Sequence, residues 1–260
     1  MALFDFHGRV AVVTGGSTGL GKGMAIALAR QGADIAILAR RPDKLEEAAA
    51  EIRTLGVKCL PVVCDITSDE SVKNAVKAVL DEYGKVDVLV NNAGNGGPCI
   101  PTEEYPQDLF EKVVGLDLCA LFRVMREFGA EMVKAGYGRI INIASAMGMV
   151  GNLDVPLAGY HAAKGGVLNL TRGVASDWAT KGVTVNNICP GMFPSEANSD
   201  EFMETQKDFI CRITPMQRAG IPTTMSTVGD MDAAVVFLAS EESRYVTGIT
   251  LPVDGGWTCV

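Results

Sequence analysis

Apolar residues along this chain fall into short continuous runs that alternate with stretches of helical spacing. The runs RVAVVT (9–14), ADIAILAR (33–40), VKCLPVVCD (57–65), VDVLVNNAG (86–94), GRIINIAS (138–145), VTVNNICPG (183–191) and a last one near 249–253 predict strands. Between them, 21–32, 43–56, 71–84, roughly 106–135, 159–181 and about 230–240 space their apolar residues as helices do. Ser68 or Asp69 is placed to cap the third of these helices. Pro61 counts mildly against its own strand, because proline cannot donate to a sheet ladder. Residues 192–228 break the rhythm.

Strands that are apolar on both faces and alternate with helices predict a parallel sheet covered on both sides. Right-handed crossovers then make a doubly wound α/β fold of the Rossmann type, with about seven strands. Ligands of such sheets bind beyond the carboxyl ends of the strands, so those ends are the first places to look for chemistry.

The first strand ends in TGGSTGLG, with Gly15, Gly19 and Gly21 ahead of a helix. Glycines there allow a tight turn and let backbone approach a pyrophosphate seated on the helix N-terminus. A plain βα turn is the competing reading. The second strand ends in Ala39, Arg40 and Arg41, with no acidic residue to hold a ribose 2′-hydroxyl. A guanidinium fork suits a 2′-phosphate, which predicts NADP(H) over NAD(H). Against that, the arginines could be solvated charges at a helix start. Asp65 closes the third strand and is a candidate acceptor for an adenine amino group, or else part of a helix cap. The fourth ends in NNAG (91–94), the fifth at Ser145 and the sixth at Pro190–Gly191.

Tyr160 and Lys164 stand four apart in AGYHAAKGG, which puts them on one helix face. A cation beside a phenol favours the phenolate and makes the hydroxyl usable as an acid or base. Taken alone, the pair would equally well be an incidental one on a surface helix.

Composition narrows the function classes. The chain has 260 residues and a net charge of −8, a sign that repels nucleic-acid backbones. Its seven cysteines show no CxxC pair and imply free thiols in a reducing, cytoplasmic setting. The two histidines, His7 and His161, are far apart, so no metal cluster is expected. No uncharged run suits a membrane span or a secretory leader, and no linker or repeat divides the chain, which reads as one domain, 1–260.

Taken together and in order, TGxxxGxG at 14–21, NNAG, Ser145, Tyr160-x-x-x-Lys164, Pro190–Gly191 and VDGG at 253–256 make the chain resemble the short-chain dehydrogenase/reductases over nearly its full length. The resemblance implies an oxidoreductase that interconverts a secondary alcohol and a ketone. In it Tyr160 moves the proton, Lys164 holds the nicotinamide ribose and Ser145 hydrogen-bonds the substrate oxygen. It also implies coenzyme contacts from Gly15, Ser17, Thr18, Gly19, Leu20, Gly21, Arg40, Arg41, Asp65, Ile66, Asn92, Ala93, Gly94, Tyr160, Lys164, Pro190, Gly191 and Ser195. Residues 192–228 become a substrate lid, and a homo-oligomer, a tetramer or dimer, is implied.

Three departures stand out. Asp117 occupies the place where the family usually carries an asparagine in a proton relay. Ser145 and Tyr160 are fifteen residues apart, with the extra length in GMVGNLDVPLA beside the site. Ser195 stands where threonine is frequent. The substrate stays open. Methionines and aromatics in the lid suit a bulky hydroxysteroid, or simply pack the lid. The overall pattern also resembles gluconate 5-dehydrogenases and other sugar-acid or polyol dehydrogenases, with Lys207, Arg212 or Arg218 to meet a carboxylate. A dinucleotide-binding protein without catalysis is the remaining alternative.

Overall fold

The computed structural model describes residues 3–151, 155–195, 198 and 200–260. Asn152–Asp154, in the loop between Ser145 and Tyr160, and lid residues Glu196, Ala197 and Ser199 lie outside the described residues. Seven strands form one parallel sheet: β1 (Val10–Thr14), β2 (Asp34–Ala39), β3 (Cys59–Val63), β4 (Val88–Asn91), β5 (Gly138–Ile143), β6 (Val183–Pro190) and β7 (Thr250–Val253). Their order across the sheet is β3-β2-β1-β4-β5-β6-β7. The direction of winding reverses between β1 and β4, which opens a crevice at their carboxyl ends.

The strands read as continuous apolar runs because alternate residues feed two cores. Ala11, Val13, Ile35 and Ile37 pack with α1 (Gly19–Arg30), α2 (Pro42–Arg53) and α9 (Asp232–Ala239) on one face. Val10, Val12, Ala36 and Leu38 pack with α3 (Asp69–Tyr83), α5 (Leu121–Ala135) and α6 (Ala158–Trp178) on the other. Pro61 is tolerated because β3 is an edge strand, paired only with β2. Cys64 N donates to Ala39 O, so with a period of two the Pro61 nitrogen faces away from β2. Ser68 caps α3, its hydroxyl accepting from Ser71 N.

A row of amides and hydroxyls crosses the sheet interior in register. Asn91 pairs with Asn142, Asn142 with Asn187 and Asn187 with Thr250. Their side chains form one chain of hydrogen bonds that passes through Thr171 of α6.

One predicted helix is a composite. The span 106–135 consists of α4 (Gln107–Val114), a π-helical turn (Gly115–Ala120) and α5, joined end to end. A π turn inserts a residue without ending the helix, so the apolar spacing of the sequence does not reveal it. After β6 come two short helices, α7 (Asp200–Thr205) and α8 (Lys207–Ile213).

Candidate active site

The crevice starts at the turn from β1 into α1. Gly15 has φ +63°, a conformation that suits glycine, and its N–H donates to Leu38 O at 2.7 Å. A β-carbon on Gly21 would lie 2.2 Å from Gly15 O, so α1 can leave the turn this closely only without a side chain there. Gly16, absent from the sequence reading, is held as tightly: its β-carbon would lie 2.7 Å from Ile37 Cγ2. Ser17 is buried, Thr18 is the N-cap residue of α1, and Leu20 packs onto the core.

Thr14 locks this turn to the end of β4. Its hydroxyl accepts from Asn92 N at 2.9 Å and Ala93 N at 3.1 Å, while Asn92 Nδ2 donates to Thr14 O at 3.0 Å. NNAG thus ties the ends of β1 and β4 together. The loop after β6 closes over the same turn: Ser195 Cβ sits 3.6 Å from where a Gly19 β-carbon would be. Ser195 Oγ accepts from Asn198 N, and Gly191 N donates to Val253 O, which holds Pro190–Gly191 against β7.

Arg40 and Arg41 are exposed beyond β2. Arg40 makes no salt bridge among the described residues, and together with Arg123 it adds to the pull that lowers the Asp65 pKa. That lowering comes chiefly from the Thr67 hydroxyl and N–H, both of which donate to Asp65 Oδ1. Asp65 is therefore engaged in its own turn, while Ser68 caps the helix that follows. Ile66 is buried, and its carbonyl accepts from Arg123. A cradle cleared of β-carbons at the start of α1 fits a dinucleotide.

The candidate acid–base group stands across the crevice. Tyr160 and Lys164 share the first turns of α6, with Lys164 Nζ 5.6 Å from the Tyr160 ring centre. Lys164 is only 4 % exposed, and its ammonium donates to Ile143 O at 3.0 Å. Ser145 follows β5, is buried, and its Oγ accepts from Met147 N at 3.2 Å. Cys189 of β6, which sequence reasoning passed over, is also buried here. Burial pushes its thiol pKa up to about 11, against the opposing pull of the Ser145 N–H and the Lys164 charge.

Asp117 lies in the π turn and is fully buried. Its Oδ1 accepts from Asn95 N at 2.7 Å, and its Oδ2 is buried without a hydrogen-bond partner among the described residues. Burial raises its pKa, opposed by the Lys164 charge and the Asn95 N–H.

Within 192–228, Phe193, Met203 and Ile210 are buried, whereas Phe202 and Met216 are exposed. Lys207 pairs with Glu204 and Arg218 with Asp230, while Arg212 lies over the Phe209 ring. Among the described residues no set of three or more His, Cys, Asp or Glu side chains is grouped to hold a metal ion, and no helix is long and apolar enough to cross a membrane.

The family model for short chain dehydrogenases matches residues 9–206. The chain is 38% identical over 260 residues to a 2-dehydro-3-deoxy-D-gluconate 5-dehydrogenase of Pseudoalteromonas atlantica, covering 98% of this chain and 97% of that one. It is 34% identical over 257 residues to a gluconate 5-dehydrogenase of Gluconobacter oxydans, again covering 98% and 97%. Among solved structures it resembles a gluconate 5-dehydrogenase from Burkholderia cenocepacia in complex with NADP and tartrate. The TM-score is 0.88 at 33% identity, over 99% of this chain and 98% of that one. A crevice built for a nicotinamide dinucleotide, a matching family model and relatives aligned nearly end to end agree: the chain belongs to the short-chain dehydrogenases, oxidoreductases that act on alcohols and ketones.

Proposed function

We propose that this protein is an NADP(H)-dependent dehydrogenase that interconverts a secondary alcohol and a ketone on a sugar acid or a related polyol, with Tyr160 as general acid and base. The observation that carries the reading is the juxtaposition of Tyr160 with the buried ammonium of Lys164, beside a turn cleared of β-carbons. A nicotinamide coenzyme held in that turn would supply or take the hydride. In the reducing direction the Tyr160 hydroxyl gives its proton to the carbonyl oxygen, and in the oxidising direction the phenolate takes it back. Ser145 holds the substrate oxygen by a hydrogen bond. Lys164 places its ammonium beside the Tyr160 ring and would hold the nicotinamide ribose. Asp117 lies behind Lys164 as the candidate relay group.

The exposed Arg40 supports NADP(H), because its fork matches a 2′-phosphate. Burial of Phe193, Met203 and Ile210 takes these three side chains out of reach of a steroid, which favours a polar substrate. The sugar-acid dehydrogenases among the relatives point the same way. Lys207 and Arg218 are already engaged by carboxylates, so the substrate carboxylate would be met elsewhere or after an exchange of partners. Residues 192–228 serve as the lid of a single domain. A groove of about 440 Å³ between α5 and α6, lined by Leu118, Phe122 and Leu170, supports a homo-oligomer. Seven free thiols support a cytoplasmic location.

The test is turnover with NADPH or NADH, and with the oxidised coenzymes, on a panel of sugar acids, polyols, small ketones and steroids. Tyr160→Phe should abolish turnover while coenzyme still binds. Wild-type turnover in that variant would end the assignment.

A further inference from the structure

The residue after Tyr160 has a role of its own in the geometry. His161 is half-buried in the first turn of α6, and its Nδ1 lies 2.7 Å from the carbonyl oxygen of Met147. A carbonyl oxygen can only accept, so Nδ1 carries the hydrogen. Burial holds the imidazole pKa below its ordinary value, which keeps the ring in that neutral form.

Met147 belongs to the single helical turn Ala146–Gly148 that directly follows Ser145. Its N–H donates to Ser145 Oγ at 3.2 Å. Gly148 N donates back to Ser145 O at 2.9 Å. The turn touches α6 a second time at Gly148, where a β-carbon would lie 2.8 Å from the carbonyl carbon of Lys164. His161 and Lys164 are three residues apart and so share a helix face. Among the described residues, the Ser145 turn is therefore held to α6 by backbone packing around Gly148 and by one side-chain hydrogen bond, that of His161.

We propose that His161 is a positioning residue: by holding the Met147 carbonyl, it fixes the Met147 N–H on Ser145 Oγ and so orients the serine hydroxyl toward the substrate oxygen. With one acceptor direction of Oγ taken by Met147 N–H, the hydroxyl proton is left to point out of the turn. Loss of the His161 bond frees the turn to rotate and leaves Ser145 without a fixed direction. An error of a fraction of an ångström in such a donor is enough to slow the chemical step. The inference rests on the proposed role of Ser145 as the group that binds the substrate oxygen.

The experiment is a set of variants of the full chain, assayed at saturating coenzyme on the best substrate from the panel above. His161→Asn places an amide N–H close to the Nδ1 position, whereas His161→Gln and His161→Ala do not. The expected order of kcat is wild type, then Asn, then Gln and Ala together, with Ala about tenfold down. NADPH affinity, read by fluorescence, should stay unchanged, because the coenzyme cradle is untouched. Ser145→Ala should cost about a hundredfold, and adding His161→Ala to it should cost nothing more. Full activity in His161→Ala, no recovery in His161→Asn, or a further loss in the double variant would each overturn the proposal. Tyr160→Phe serves as the control. If it is dead while His161→Ala is normal, only the role of His161 falls; if Tyr160→Phe turns over normally, the parent reading falls first.

Discussion

Asp117 Oδ1 lies only 2.3 Å from the place a β-carbon on Gly94 would occupy, and that place is 3.4 Å from Lys164 Nζ. The glycine that ends NNAG thus leaves room for a carboxylate and an ammonium to approach the same strand end. Gly94→Ala should force Asp117 away from the Asn95 N–H it holds and loosen the loop. Overpacking of this kind costs about 1–3 kcal/mol. Urea denaturation of the coenzyme-free protein checks it: the midpoint should fall with an unchanged slope, and an unchanged midpoint would show that the loop moves aside freely.

The same carboxylate makes stability depend on pH. Burial raises the Asp117 pKa above the ordinary 3.8, so the folded chain holds that proton more tightly than the unfolded chain does. The stability tied to the proton is whole below the ordinary value and is lost as pH rises through the raised one. An amide has no such proton. The unfolding free energy of Asp117→Asn, minus that of wild type, should therefore grow as pH rises from about 4 toward neutrality. Parallel stability curves over that range would contradict the raised pKa. Turnover of the same variant across pH separates this from a relay role: an unchanged profile removes Asp117 from the relay.

Strand and helix order were legible in the residues because the inner strands feed two cores while the long helices each feed one. Predicted and observed boundaries differ by a few residues at most, as for 33–40 against Asp34–Ala39. The strand-end motifs were legible for the same reason, since they mark where an apolar run stops. What escaped were features that depend on contact between distant residues. The π turn around Asp117 keeps helical apolar spacing. Gly16 is needed because Ile37, on the next strand, presses against it. Cys189 looked like one of several scattered thiols until β6 placed it beside Ser145 and Lys164. His161 drew notice only because the other histidine, His7, lies far from it in sequence. The lid residues Phe193 and Ile210 were apolar in either reading, and only packing shows that they are buried.

Coenzyme choice should rest on Arg40. Its side chain is exposed and, among the described residues, has no salt-bridge partner to compete with a phosphate. Arg40→Ala should raise the Kd for NADPH by about ten- to a hundredfold, the worth of a charge-assisted contact, and leave that for NADH nearly unchanged. The NADPH effect should shrink at high salt, as expected for an exposed charge. Equal weakening of both coenzymes would place Arg40 outside the 2′-phosphate site.

Thr171 carries the buried polar row from β5 to β6. Its hydroxyl accepts from Asn142 Nδ2 at 2.8 Å and donates to Asn187 Oδ1 at 2.6 Å. The other links run the same way, Asn91 Nδ2 to Asn142 Oδ1 and Asn187 Nδ2 to Thr250 Oγ1. Aligned dipoles in a dry interior strengthen one another, so the row is worth most when unbroken. Thr171→Val keeps the volume and removes the link, stranding a donor on Asn142 and an acceptor on Asn187. Two buried groups left unpaired should cost about 2–3 kcal/mol. Because Asn142 and Asn187 sit in register on interior strands, the penalty cannot be escaped by sliding one strand without exchanging the side chains it presents to the two cores. Urea unfolding should show the loss as a lower midpoint, with amide exchange faster in β5 and β6. A midpoint equal to that of wild type would mean that the two asparagines find other partners, and that the row follows the fold without stabilising it.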